Sequence, residues 1–77
     1  MKKTYYKKAK KLQDELSVLL IKVEEFKDEV EEYFNEKPEN WKGGEKGEHT
    51  DQCINQLGST CEFIESAIEC LDEVDEQ

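Results

Sequence analysis

Apolar and aromatic residues recur through the first half of the chain at Tyr5, Ala9, Leu12, Leu16, Leu19, Val23, Phe26, Val30 and Tyr33, in alternating steps of four and three. A heptad seam kept over four repeats predicts one long amphipathic helix. Thr4 offers an N-cap, and Pro38 makes Lys37 a poor helical residue, so the helix is expected over 4–36. The stretch KPENWKGGEKG then holds the single proline and three of the four glycines, the chemistry of a helix-breaking connection, and predicts a turn over 37–44. Gly43 or Gly44 can end that turn. Glu45 and Glu48 follow in the first turn of a second helix, where carboxylates suit the positive end of the dipole. This helix, expected over 45–75, carries its own seam at Thr50, Ile54, Leu57, Cys61, Ile64, Ile68 and Leu71.

Two matched seams joined by a short turn predict an all-α protein, an antiparallel two-helix hairpin of coiled-coil type forming one domain over 1–77. Setting Glu36 level with Gly44 pairs Phe26 with Ile54, Val23 with Leu57, Leu19 with Cys61, Leu16 with Ile64 and Leu12 with Ile68. Trp41 is expected to fold over Val30 and Tyr33 at the turn end. The second helix also carries a further stripe, Thr60, Phe63, Ala67, Cys70 and Val74, extended upstream by Cys53, which a two-helix hairpin cannot bury. With Val18 of the first helix level with Phe63, this patch predicts a homodimer, two hairpins forming a four-helix bundle.

Composition agrees with long exposed helices. Charged residues make up 40% of the 77 and apolar ones 35%, and so short a chain has little core of its own. Six of the eleven lysines lie in residues 1–11, while the rest of the chain holds five lysines and all twenty carboxylates. In the hairpin Lys7, Lys8, Lys10 and Lys11 are expected beside Glu69, Asp72 and Glu73. With no arginine and a net charge of −9, direct nucleic-acid binding is not expected. The acidity admits the opposite reading, a rod that presents carboxylates as DNA presents phosphates and so inhibits a basic host protein. The start MKKTYYKKAKK is positive, but the run Val18–Ile21 is far shorter than a signal peptide or membrane span requires, so an unprocessed cytoplasmic chain with no membrane partner is expected. Cys53, Cys61 and Cys70, spaced eight and nine apart along one helix, read as reduced thiols.

Candidate chemistry is sparse. One histidine and no arginine leave a catalytic triad or phosphate loop without parts, so neither enzymatic activity nor a cofactor is expected. The nearest approach to a site is His49 and Cys53 at i and i+4 with Glu45 one turn earlier. Structural zinc normally takes four ligands, so no metal is expected unless a second chain completes the set. These features together predict a non-enzymatic protein–protein interaction module.

The run PENWKGGEKGE followed by CINQLGSTCEFIESAIECLDEV resembles a group of small helical-hairpin proteins from phages and low-GC bacteria. Their central segment similarly sets a Pro-Glu pair, here Pro38 and Glu39, a few residues before a Glu-Lys/Arg-Gly-Glu helix start, here Glu45 to Glu48. The resemblance covers about half the chain and implies a phage or mobile-element accessory protein that binds a host protein. Trp41 and Gly43 also spell the W-x-G found in the turn of secreted helical-hairpin proteins of the ESAT-6 type, which would imply an exported helical dimer. The C-terminal tyrosine of that group's export signal has no counterpart after Leu71.

Overall fold

A computed structural model describes residues 2–74, and they fold as three helices in chain order: α1 Lys3–Asn35, α2 Glu39–Lys42 and α3 Glu45–Asp72. The long helices α1 and α3 lie antiparallel, packed along their length, and α2 forms part of the connection. The result is a rod of 58 × 14 × 11 Å. No strand occurs among the described residues.

The helix ends fall close to where their residue chemistry places them. Helix α1 starts at Lys3, so Thr4 lies inside it and Lys2 stands at the N-cap with no side chain bonded to the free N–H groups. Glu36 closes the other end, its N–H donating to the Glu32 carbonyl while the Lys37 N–H donates to that of Phe34, and extended Pro38 then breaks the helical path. The expected turn is more ordered than glycine and proline alone suggest. The Pro38 carbonyl accepts from the amides of Trp41 and Lys42, which winds Glu39–Lys42 into one helical turn. Helix α3 begins at Glu45 with Gly44 as an extended N-cap and Glu45 and Glu48 in its first turn. Its helical hydrogen bonding closes at Asp72 with Glu73 as C-cap, and the expected end at residue 75 lies outside the described residues.

Gly44 ends the turn as expected, and Gly47 is the glycine whose missing side chain the connection requires. A Cβ at Gly47 would fall on the backbone of Lys42 and the Trp41 carbonyl, so the buried Gly47 is what lets α2 fold down onto the first turn of α3. Trp41 closes this end, edge-on to Tyr33 at 5.8 Å and to Phe34 at 6.4 Å between centroids. Tyr33 is thus a partner of Trp41 as expected, and Phe34 is a second ring against it.

The α1–α3 seam keeps the expected period and changes its phase. Ala9, Leu16, Val23 and Val30 face α3 as expected, but the alternate positions are filled by Tyr6, Gln13, Leu20, Lys27 and Phe34 rather than by Tyr5, Leu12, Leu19, Phe26 and Tyr33. Helix α1 is thus turned by about 50° on its axis from the expected setting, at 100° per residue. Two polar residues make the new phase workable. Gln13, 9% exposed, donates from Nε2 to the Ile68 carbonyl at 2.9 Å and to Asp72 Oδ1 at 3.3 Å. Lys27 lays its stem against Gly58, where a Cβ would stand 3.5 Å from its Cε, and carries its ammonium out to Glu31 at 2.7 Å. On α3 the expected seam residues, from Thr50 to Leu71, are all partly covered.

The register also differs from the expected ladder. Val30 and Tyr33 line one groove with Cys53 and Thr50, which sets α1 against α3 a little under one helical turn away from the pairing of Phe26 with Ile54. The packed turn is the physical cause: with α2 stacked on Gly47, it is Gly47 that reaches the level of the end of α1.

Candidate functional site

The rotation of α1 leaves an apolar row facing outward along the whole helix. Tyr5, Leu12, Leu19, Phe26 and Tyr33, spaced seven apart, are each about half exposed. Seven residues make nearly two helical turns, so the five share one stripe. At the turn end the row opens into a groove of about 600 Å³ between the helices, lined by Phe26, Val30, Tyr33, Thr50, Cys53 and Leu57.

The stripe expected on α3 borders the same face. Cys53 lines the groove beside Phe26 and Tyr33, whereas Gly58, Cys61 and Glu62 line a separate groove with Glu24, Lys27 and Asp28 on the opposite side of the hairpin. Thr60, Ala67 and Val74 follow Cys53 at intervals of seven, and Phe63 and Cys70 lie immediately beside them. Phe63 is 73% exposed, the most open of the large apolar side chains, and Val18 is 54% exposed. Thr60 and Cys70 are exposed, while Ala67 and Val74 are half-buried.

Little of the apolar content is withdrawn from water. Ala9 is the sole buried apolar residue among those described, and no large side chain there is fully buried. The chain exposes 6120 Å². A compact monomer of 9.1 kDa would expose roughly 4,900 Å², so roughly 1,200 Å² more than expected is left open.

No family model, curated protein or solved structure matches this chain. What its surface offers a partner lies in its own chemistry.

That chemistry is apolar on one face and ionic elsewhere. Among the described residues the single ion pair is Lys27–Glu31 within α1, and the hydrogen bond and negative charge of Glu31 raise the Lys27 pKa above its ordinary 10.5. The expected contacts of Lys7, Lys8, Lys10 and Lys11 with Glu69, Asp72 and Glu73 do not form as ion pairs; it is neutral Gln13 that reaches Asp72. An exposed pair contributes at most about 1 kcal/mol and immobilises two long side chains, so hydration competes successfully.

His49 and Cys53 do meet, with Nε2 and Sγ 3.7 Å apart. Glu45 does not complete a set with them, since no trio of His, Cys, Asp or Glu among the described residues is placed to hold a metal ion. Cys53, Cys61 and Cys70 are free thiols. No helix among the described residues is long and apolar enough to cross a membrane.

The α1 row is visible in the heptad pattern, where hydrophobicity alone places it on the inner seam. What the pattern lacked was Gln13 and Lys27, polar residues that a seam drawn by hydrophobicity alone passes over.

Proposed function

We propose that this protein is a non-enzymatic protein–protein interaction module that works by presenting a long apolar helix face to another chain. The observation that carries this reading is the heptad-spaced row Tyr5, Leu12, Leu19, Phe26 and Tyr33, about half exposed along all of α1. Burying one such side chain completely is worth about 1.5–3 kcal/mol, and a row of them supplies the continuous anchor that helix-in-groove or bundle recognition uses. The resemblance of the Pro38–Glu48 segment to phage and low-GC bacterial hairpins supports an accessory role, as a phage or mobile-element protein that acts on a host protein.

Retention of host proteins on the immobilised full-length chain tests this reading. Wild-type protein is expected to retain a partner that a Leu19→Glu/Phe26→Glu variant loses, while circular dichroism of the variant stays helical. Association that ignores both substitutions, with itself and with host proteins alike, overturns the assignment to this face. Retention that instead collapses in 0.5 M salt and ignores the apolar substitutions would point to the acidic surface and a basic partner.

A further inference from the structure

Resting on the interaction-module reading, we infer that the first occupant of this face is a second copy of the chain, laid antiparallel across it with a two-fold axis at Leu19 and Phe63.

The α1 row is a near-palindrome. About Leu19, an antiparallel copy sets Leu12 against Phe26 and Tyr5 against Tyr33, so each contact joins two large apolar side chains. The row turned outward on α3 has the same property: about a point between Thr60 and Ala67, Thr60 meets Ala67 and Cys53 meets Val74. These two centres lie at one height. Val30 and Cys53 line the same groove, and eleven residues back along α1 and eleven forward along α3 lead to Leu19 and Ile64, next to Phe63. One axis therefore serves both helices, with α1 over α1, α3 over α3 and the exposed Phe63 rings meeting near the dyad.

Charge selects the same direction. On the solvent side of the α1 row stand Lys8, Glu15, Lys22 and Glu29, all exposed and outside the Lys27–Glu31 ion pair. Antiparallel copies set Lys8 beside Glu29 and Glu15 beside Lys22, each twice by symmetry, whereas parallel α1 helices would stack the lysine-rich ends on one another. The helix ends add to this. Helix α1 has no acidic residue in its first turn and no basic residue in its last. Residues 2–11 hold six lysines, and residues 24–36 hold seven carboxylates against one lysine. Both ends oppose the helix dipole, and antiparallel pairing sets each beside the opposite end of its partner.

The areas agree as well. The roughly 1,200 Å² that the chain exposes beyond a compact monomer of its mass exceeds the roughly 800 Å² per partner that a standard stable interface covers. In the paired form the groove lined by Phe26, Val30, Tyr33 and Leu57 receives the partner's Leu12 and Tyr5 side chains.

Cysteine crosslinking of the full chain, with Cys53, Cys61 and Cys70 replaced by alanine, tests the arrangement. Leu19→Cys is expected to form a covalent dimer on mild oxidation. Leu12→Cys alone is expected to remain unlinked, because its copies stand about 21 Å apart, and to link when mixed with Phe26→Cys. Lys8→Glu is expected to weaken the dimer roughly five- to tenfold and Lys8→Glu/Glu29→Lys to restore it. Unlike a loss caused by misfolding, that rescue requires the two positions to meet. A wild-type mass of one chain by light scattering up to millimolar concentration overturns the proposal, leaving the interaction reading to the retention experiment. A dimer without the Leu19 link, or with Leu12→Cys linking to itself, overturns the antiparallel geometry alone.

Discussion

Gln13 shows how a polar residue can occupy the inner face of a helix. Hydrophobicity alone assigns a glutamine no place in the seam, yet Gln13 is among the most buried of the described residues. Its amide donates to the Ile68 carbonyl and to Asp72 and so ties the open end of the hairpin together. Neither acceptor depends on it, since a helical carbonyl has its own backbone partner and Asp72 is exposed. Gln13→Leu is therefore expected to leave the melting temperature unchanged or higher, because no buried acceptor is orphaned and apolar area is gained. A fall of more than about 1 kcal/mol in stability by thermal melting would contradict this account. Such residues are hard to recognise from sequence because their partners, a carbonyl and a carboxylate on the other helix, lie 55 and 59 positions away.

At the scale of elements, two glycines of α3 make opposite demands. Gly47 sits under α2, where any side chain would meet the Lys42 and Trp41 backbone, while Gly58 sits mid-helix with a side-chain stem at ordinary contact distance. Gly47→Ala is expected to destabilise the protein by roughly 1–3 kcal/mol and to loosen Trp41 from Tyr33 and Phe34. Gly58→Ala is expected to stabilise it by about 0.5–1 kcal/mol, the ordinary gain of replacing an interior helical glycine. Paired thermal melts followed at 222 nm and by Trp41 fluorescence check both; equal effects of the two substitutions would refute the role given to the turn. The existence, type and approximate ends of the long helices were legible in the heptad pattern, Pro38 and the glycine cluster. The helical turn α2 was not, because it depends on the Pro38 carbonyl and the space over Gly47.

For the whole molecule, the shortage of buried surface sets the expectation. A rod whose described residues include only one buried apolar side chain has little to set against the entropy of ordering its helices. If pairing covers the open face, the midpoint of thermal unfolding should rise with chain concentration, since mass action stabilises the associated state. Melts between 1 µM and 1 mM measure this, and a midpoint independent of concentration would show that the single hairpin carries its own stability. Phe63→Glu is expected to lower the midpoint most at high concentration, because two like charges would meet near the axis.

The sequence by itself determined that the chain makes two long antiparallel helices, because the 3–4 apolar period, the proline and the glycines act over a few residues along the chain. It also marked the residues of both apolar faces. Which face of α1 turns inward was decided only in the tertiary structure. The apolar arc of α1 is wider than one partner helix can cover, and local pattern treats Leu12, Leu19 and Phe26 as equal to Leu20 and Phe34. The observed choice goes with contacts between distant residues, α2 seated on Gly47 and Lys27 laid in the notch at Gly58, and with a Gln13 amide that finds acceptors on the inner face. They accompany the shifted register and the turn of α1 that leave the row from Tyr5 to Tyr33 on the outside.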